Sequence, residues 1–234
     1  MSRYENDHPE HTFAALSQSD EQLAKLSQSP YTKPASADRV AKAKAGLEAK
    51  GFKVTEVPNR AAAFDALKAA IPKGASVNNA HSTTLEELGF ITYLKGETEW
   101  DNVHHKIILE KDPAKQANLR RTVGSTVDYY ITSVAAVTEN GELAHGDLSG
   151  SKVGGVAFGA GNVIVVVGSN KIVKDLDEAK KRAFEFALPA ESARIRNAYK
   201  LPGSNLTHFE IINTASPFAP GRIQVILVDE ALGY

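Results

Sequence analysis

The chain has 234 residues, a formal net charge of −1 and no cysteine. This length can bury one sizeable core, and the near-neutral charge gives no electrostatic case for binding nucleic acid or an anionic membrane. The lack of cysteine excludes disulfides, thiolate catalysis and iron–sulfur clusters bound by cysteine. The sequence has no long apolar run and no signal-peptide pattern, so we expect a cytoplasmic protein.

The first 36 residues differ in composition from the rest of the chain. They are rich in Ser, Gln, Asp and His. We expect residues 1–36 to form a polar extension that packs late or wraps a partner subunit, ahead of an α/β domain over residues 37–234. His8 and His11 lie in this extension, and we expect both to be solvated.

Helices and strands alternate after the extension. The predicted elements are a helix over 37–50, a strand over 52–57, a helix over 60–71 and a strand over 75–79. Helical spacing of Val40, Ala43 and Leu47 supports the first helix, and Gly51 ends it. This alternation predicts an open, mostly parallel but mixed sheet with helices on both faces.

A polar loop and a helix start follow the second strand. Ser82 or Thr83 can cap this helix, and Glu86 falls three residues after Thr83, which resembles a capping box. No cap needs His81. It lies where a strand delivers a side chain to the carboxyl edge of the sheet, which is the usual ligand side in open α/β folds.

Two adjacent histidines occur further along, at His104 and His105. Neighbouring residues point to different faces of a helix or a strand, so at most one of them can face a site. A surface pair is the alternative. A polar helix over 113–123 comes next.

The central stretch, from Asp128 to Asp175, carries the strongest local signals. Its predicted elements are a strand over 129–138, an Asn140–Gly141 turn, a returning strand over 142–145, a helix over 151–158 and a buried strand over 163–167. Helices over 176–188 and 191–199 and strands over 210–213 and 222–228 complete the chain.

Two polar, glycine-bearing triplets lie between the hairpin and the helix of this stretch. They are His145-Gly146-Asp147 and Ser149-Gly150-Ser151. Backbone N–H groups at Ser149, Gly150 and Ser151 can hold an anion at a helix start, although an ordinary helix N-terminus has the same residues. Lys152 and Lys171 can add positive charge.

Several ordered motifs carry a family resemblance. They are TTLEELG (Thr83–Gly89), DYYITSVAAVTENGEL (Asp128–Leu143), SGS (Ser149–Ser151), VIVVVGSNKIVKDLDEA (Val163–Ala179), LPAESARIRNAYKLPGS (Leu188–Ser204) and PGRIQVILVDEALGY (Pro220–Tyr234). From about Ala37 onward, the chain resembles the lactate-utilisation, or LUD, domain family.

The resemblance implies an α/β fold similar to ribose-5-phosphate isomerases, glucosamine-6-phosphate isomerases and CoA transferases. Some family members belong to bacterial systems that oxidise lactate beside iron–sulfur subunits. Some branches carry a cysteine cluster that this chain lacks. The chain also departs from the family pattern: His81 replaces a small residue and His104 an arginine, while His145 and Asp147 stand at variable positions.

Two functions remain open from the sequence. The first is an enzyme that acts on a small polar or anionic metabolite by isomerase- or lyase-like proton transfer, with Asp147 as base, His81 as acid or its partner, and Glu86 as a third catalytic candidate. The expected ligand-binding residues are Ser82, Thr83, Ser149, Gly150, Ser151, Lys152, Asn170 and Lys171. The second is a non-catalytic accessory or ligand-binding subunit of a lactate-utilisation-type system.

A divalent metal such as zinc is a further hypothesis. If the strand continues through Gly146, His145 and Asp147 share one face, and His81 can meet them across the sheet edge. His104 or Glu86 would complete the set. Three unrelated polar residues and a metal-free acid–base cluster are the alternatives. The sequence leaves the substrate unnamed and a homo-oligomer open.

Overall fold

Six parallel strands form the main sheet. The computed structural model describes residues 6–96 and 98–234. In spatial order the strands are β1 (Lys53–Val57), β10 (Ile223–Val228), β7 (Asn162–Gly168), β4 (Tyr129–Thr132), β2 (Ser76–Asn79) and β3 (Asp101–Asn102). Each neighbouring pair is parallel. The predicted α/β class with an open, mostly parallel sheet is confirmed.

A second, smaller sheet contains the antiparallel pairs. Its strands are β8 (Ile172–Val173), β5 (Ala136–Thr138), β6 (Leu143–Asp147) and β9 (His208–Ile212), and only β8 and β5 run parallel. The single strand predicted over 129–138 is therefore wrong. The chain leaves the main sheet after Thr132 and enters the second sheet at Ala136. Both parts are buried, so their β-branched composition did not reveal the break.

Helices cover both faces of the main sheet. They are α1 (Phe13–Ser19), α2 (Glu21–Ala24), α3 (Ala37–Ala49), α4 (Arg60–Ala70), α5 (Thr83–Glu87), α6 (Phe90–Gly96), α7 (Val103–Leu109), α8 (Pro113–Arg121), α9 (Ser151–Gly154), α10 (Leu176–Arg182) and α11 (Leu188–Tyr199). Wide helical turns at Gly155–Gly159 and Ala183–Ala187 follow α9 and α10. No helix in the described ranges is long and apolar enough to cross a membrane.

Strand β7 shows why two layers of helices are needed. Val163, Val165 and Val167 belong to the core cluster on the α3 side, whereas Ile164 and Val166 belong to the cluster on the α4 side. All five are at most 1% exposed. Alternate side chains of a strand point to opposite faces, so both faces of β7 must be covered. The buried strand predicted over 163–167 is confirmed.

The described part of the N-terminal extension lies against the rest of the same chain. Leu16 and Leu23 are at most 1% exposed and pack in one cluster with Phe186 and Ala190. His11 is buried too, at 8% exposure, so the expectation of a solvated His11 is wrong. Because most residues of the segment are polar, the sequence did not indicate that its two leucines would be buried against the rest of the chain. Its boundary at residue 36 stays a prediction.

Candidate functional site

A cavity of about 990 Å³ lies at the carboxyl ends of β2 and β4. Its wall includes the residues that follow these strands, and residues from α5, α11 and the N-terminal segment. This is the edge where open parallel sheets place their ligands. Nine predicted site residues line it: His81, Ser82, Thr83, Glu86, Asp147, Ser149, Ser151, Lys152 and Lys171. Gly150, Asn170 and His145 lie outside this wall.

Glu86 is the centre of a histidine–carboxylate cluster in this cavity. Its Oε1 lies 3.0 Å from His81 Nε2, and its Oε2 lies 3.0 Å from His11 Nδ1. Burial opposes ionisation of the Glu86 side chain, but the hydrogen bonds and positive charge of His81 and His11 outweigh it and hold the pKa of Glu86 below its ordinary value. The cluster therefore has a buried carboxylate between two imidazoles.

The capping box predicted for this helix is wrong. The N-cap of α5 is Ser82, whose side chain makes no capping bond, and Thr83 is the first helical residue. Glu86 is then the fourth helical residue, one position beyond the place that a capping box requires. Its carboxylate therefore does not bind the N-terminal N–H groups of the helix and contacts the two histidines instead.

Lys171 lies at the buried side of the cavity, in the turn after β7. The residue is 2% exposed, and its Nζ donates to Thr84 Oγ1 at 2.9 Å and to Ser133 Oγ at 3.1 Å. Burial lowers the pKa of the Lys171 amine well below its ordinary value, and the charge of Arg182 lowers it further against the opposing charge of Glu87. A lysine in this state can act as a base.

Asn170, the neighbour of Lys171, has a structural role. Its Nδ2 donates to the carbonyl of Gly233 at 3.0 Å, and its Oδ1 accepts from the N–H of Leu232 at 3.0 Å. The side chain therefore holds the 232–233 segment against β7. Asn170 is not in the cavity wall, and its role in ligand binding stays a prediction.

The Ser-Gly-Ser loop is a helix start in which two of the three predicted backbone donors already have partners. Asp147 Oδ1 accepts from the N–H of Ser149 at 3.2 Å, and its Oδ2 accepts from the N–H of Lys152 at 2.8 Å. The N–H of Ser151 donates to Ser149 Oγ at 3.3 Å. Because the N–H groups of Ser149 and Ser151 already have partners, they are less available to an anion, and the backbone anion cradle at Ser149, Gly150 and Ser151 stays a prediction.

The predicted metal set is not assembled. Strand β6 does continue through Gly146, but His145 is 1% exposed and its Nε2 bonds the carboxylate of Glu210 on β9. Burial lowers the pKa of His145, against the opposing effect of Glu210. His145 therefore belongs to the second sheet, while Asp147 caps α9.

Among the described residues, two groups of three place metal-ligand atoms within 4.8 Å of one another. They are His11, His81 and Glu86, and His8, Glu10 and His11. Neither group contains His145 or Asp147. The ligand set His81, His145 and Asp147 is therefore not assembled: Asp147 shares the cavity wall with His81, but the buried His145 bonds Glu210 on β9.

Two asparagines were missed by the sequence interpretation. Asn78 and Asn79 end β2 on the cavity wall, at 7% and 4% exposure. Their amide groups donate to the carbonyls of Gly124 and Ala80, at 2.6 and 3.2 Å. Their Oδ1 atoms have no hydrogen-bond partner among the described residues. Two polar residues in a row at the end of a strand were the available signal.

Of the two adjacent histidines, His104 lines the cavity and His105 is exposed. Only one of the pair therefore faces the candidate site, as the sequence predicted for adjacent residues. Burial lowers the pKa of His104, and the charge of Arg120 lowers it further.

Two cations of the wall differ in what they contact. Arg194 is fixed by Glu191, to which its Nε and Nη2 donate at 2.8 and 2.6 Å. Lys152 makes no ion pair with any described residue; burial lowers its pKa, against the charges of Asp147 and Glu191. Lys152 is therefore available to an anionic ligand.

The model of the LUD domain family matches residues 40–228. The chain belongs to the LUD domain family. The match places His81, Glu86 and Lys171 inside the LUD domain, whereas His11 comes from the segment before residue 40.

One solved structure is similar to this LUD protein, a DUF162 family protein from Deinococcus radiodurans. The two chains are 16% identical with a TM-score of 0.48, and the match covers 83% of this chain and 99% of the other. No curated protein matches the sequence.

Proposed function

We propose that this LUD protein is an enzyme that moves a proton on a small hydroxylated, anionic metabolite, in isomerase- or lyase-like chemistry. The observation that carries the proposal is Lys171, a lysine buried at the cavity with hydroxyl partners and a lowered pKa. Burying an amine costs stability, so this lysine calls for a functional reason.

The contacts of Lys171 suit a general base. In its neutral form the amine donates its two hydrogens to Thr84 and Ser133, which leaves the nitrogen lone pair for a substrate. Lys171 takes a proton from a carbon beside a carbonyl and becomes an ammonium. It then returns the proton to the neighbouring atom in an isomerisation, or to the leaving group in an elimination. Such catalysis contributes about 10²–10⁴-fold in rate.

Other groups of the wall define the substrate class. Lys152 lacks an ion-pair partner among the described residues and would bind a carboxylate or phosphate group. The unpaired Oδ1 atoms of Asn78 and Asn79 would accept hydrogen bonds from substrate hydroxyls, which would relieve two buried polar atoms. These features favour a hydroxy acid or a sugar phosphate over an apolar ligand.

Hydrogen–deuterium exchange tests the proposal without knowledge of the product. Purified protein is incubated in D2O with hydroxy acids, oxo acids and sugar phosphates, and loss of each C–H signal is followed by proton NMR. We expect exchange or conversion of at least one compound. Lys171→Met should abolish it, whereas Lys111→Met, at an exposed lysine, should not.

The accessory or ligand-binding role is the outcome to set against this proposal. A compound that raises the melting temperature but exchanges no hydrogen would indicate a binding subunit of a lactate-utilisation-type system. Exchange that survives Lys171→Met would remove Lys171 as the base and return that role to Asp147 or His81. A cytoplasmic location and a homo-oligomer stay predictions.

A further inference from the structure

We propose that His11, His81 and Glu86 form a binding site for one divalent first-row metal ion, preferably zinc. The site does not depend on the proton-transfer proposal. It differs from the ligand set expected from the sequence in two of its three residues, because His11 and Glu86 replace His145 and Asp147.

The spacing of the donor atoms fits a metal. Glu86 Oε1 is 3.0 Å from His81 Nε2, and Glu86 Oε2 is 3.0 Å from His11 Nδ1. Zinc bonds of about 2.0–2.1 Å at tetrahedral angles separate neighbouring ligand atoms by about 3.3–3.4 Å. The three ligand atoms all lie within 4.8 Å of one another, so side-chain shifts without a backbone rearrangement would admit the ion.

The residue types favour zinc over magnesium or calcium. Two imidazoles and one carboxylate are a three-residue set used by catalytic zinc, with a fourth position left for water or substrate. Magnesium and calcium prefer oxygen ligands alone. The side chain of Glu86 is 6% exposed and that of His81 is 40% exposed, so the site is buried on one side and open to the cavity on the other.

A second carboxylate lies near the ring of His11. The other nitrogen, Nε2, faces Glu10 Oε1 at 3.9 Å, and His8 Nδ1 holds that same oxygen at 3.0 Å. Histidine ligands of metals commonly direct their second nitrogen to a carboxylate, which sets the tautomer and the ring orientation. At 3.9 Å, Glu10 is beyond hydrogen-bond distance of His11 Nε2, so its carboxylate would have to move closer to support the ring when Nδ1 binds the ion.

Backbone contacts fix the segment that brings His11 to the site. The N–H of Asp7 donates to the carbonyl of Glu86 at 2.9 Å. The carboxylate of Asp7 accepts from the N–H groups of Ile91 and Thr92, at 2.7 and 3.0 Å. The segment is therefore held at both the helix that carries Glu86 and the next helix, and such preorganisation favours metal affinity.

The overlapping group of His8, Glu10 and His11 is a weaker candidate. The side chains of His8 and Glu10 are 42% and 55% exposed, so water competes for both. In addition, the nitrogen of His11 nearest Glu10 is Nε2, whereas Nδ1 faces Glu86. Substitution of His8 separates the two groups.

Elemental analysis and cobalt titration test the site without any assay of activity. The full chain is purified without a histidine tag, its metal content is measured by mass spectrometry, and the protein is stripped with chelator and titrated with Co²⁺. We expect about one equivalent of metal per chain. Bound Co²⁺ should show the intense visible absorption of a four-coordinate ion. His11→Ala, His81→Ala and Glu86→Gln should each weaken binding by about a hundredfold or more.

Controls separate the site from adventitious binding and from misfolding. His105→Ala, at an exposed histidine, should bind as the wild type does, and His8→Ala should lose less affinity than His81→Ala. Glu86→Gln keeps the shape of the side chain, and circular dichroism checks its fold. Zinc should raise the melting temperature of the wild type but not of Glu86→Gln. Stripped protein that binds no Co²⁺, or binding that survives all three ligand substitutions, would overturn the proposal.

Discussion

Asp20 and Arg196 form an ion pair that joins the N-terminal segment to α11, across 176 residues of sequence. Arg196 Nε donates to Asp20 Oδ2 at 3.0 Å, and Nη2 contacts the same oxygen. Asp20 Oδ1 also caps α2, where it accepts from the N–H groups of Gln22 and Leu23 at 3.1 and 3.0 Å. One carboxylate therefore caps a helix and fastens the segment that carries His11.

Asp20→Ala should lower the free energy of unfolding by about 1–2 kcal/mol, since it removes a helix cap and an ion pair. Chemical denaturation measures the change. Asp112→Ala is the matched control, because Asp112 caps α8 with bonds to the N–H groups of Ala114 and Lys115 but makes no ion pair with a described residue. Equal losses in the two variants would show that the ion pair contributes nothing.

The contribution of Asp20 should also depend on pH. Burial raises the pKa of Asp20, but hydrogen bonds from Arg196 and the N–H of Leu23 lower it more, so the pKa lies below its ordinary value of 3.8. The folded protein then binds fewer protons at Asp20 than the unfolded chain does. The stabilisation is present above pH 3.8 and is lost as the pH falls through the folded-state pKa. Wild type and Asp20→Ala should converge in stability there.

Val165→Asp should prevent folding. Val165 is 1% exposed in the central strand of the main sheet, and an unpaired charge there has no partner. Solubility and circular dichroism after expression provide the measurement. Val123→Asp is the control, since Val123 is 47% exposed and its replacement should cost less than about 0.5 kcal/mol. Native-like, cooperatively melting Val165→Asp would contradict the placement of this strand.

Lys171→Met should raise stability while it removes function. The methionine fills the same space and removes a buried amine, which should add about 1–3 kcal/mol and about 2–4 °C of melting temperature per kcal/mol. Thermal unfolding measures the gain. A loss of stability would mean that the hydrogen bonds to Thr84 and Ser133 outweigh the cost of burying the amine.

The extra stability of Lys171→Met over the wild type should decrease in alkaline solution. Because the folded-state pKa of Lys171 lies well below its ordinary value, the unfolded chain binds more protons than the folded protein between the two values. Wild-type stability therefore rises with pH in that window, up to the unfolded pKa of about 10.4. The variant lacks this rise, and melting curves at increasing pH should show the difference narrowing.

Gly46→Ala should destabilise the protein by about 1–3 kcal/mol, although alanine favours helices. A Cβ at Gly46 would lie 2.5 Å from the backbone carbon of Asn140, in the turn between β5 and β6. Gly96→Ala is the control, since nothing lies within 4 Å of its Cβ position and the change should gain up to about 1 kcal/mol. Urea titrations of both variants would test this contact; equal behaviour would contradict it.

Local sequence patterns were sufficient for much of the main sheet. The apolar run at 163–167 could be identified because a strand buried on both faces has no polar positions. The helix α3 follows from the spacing of its apolar residues and from Gly51, whose φ of +81° suits a residue without a side chain. In both cases the signal lies within a few residues of the element that it predicts.

The candidate site depends on contacts that no local pattern contains. His11 and Glu86 are 75 residues apart in the sequence. Nothing in the composition of residues 6–36 indicates which part of the domain this segment contacts. The capping-box prediction took Thr83 as the N-cap. The N-cap is Ser82, one residue earlier, so Glu86 is no longer at the helical position from which a side chain can complete a capping box. His145 and Asp147 have residue types suited to a metal, but the partner strand decided what His145 contacts.

The position of β10 has a consequence for how this protein is made. It lies between β1 and β7, although β1 is the first strand along the described chain and β10 is the last. On the ribosome, β1 must wait for synthesis to pass Val228 before its neighbour exists. Until then the backbone of β1 has no partner strand in the sheet, and such long-range pairing slows folding and prolongs exposure to aggregation. Chains that stall before residue 223 should therefore be targets for chaperones and proteases.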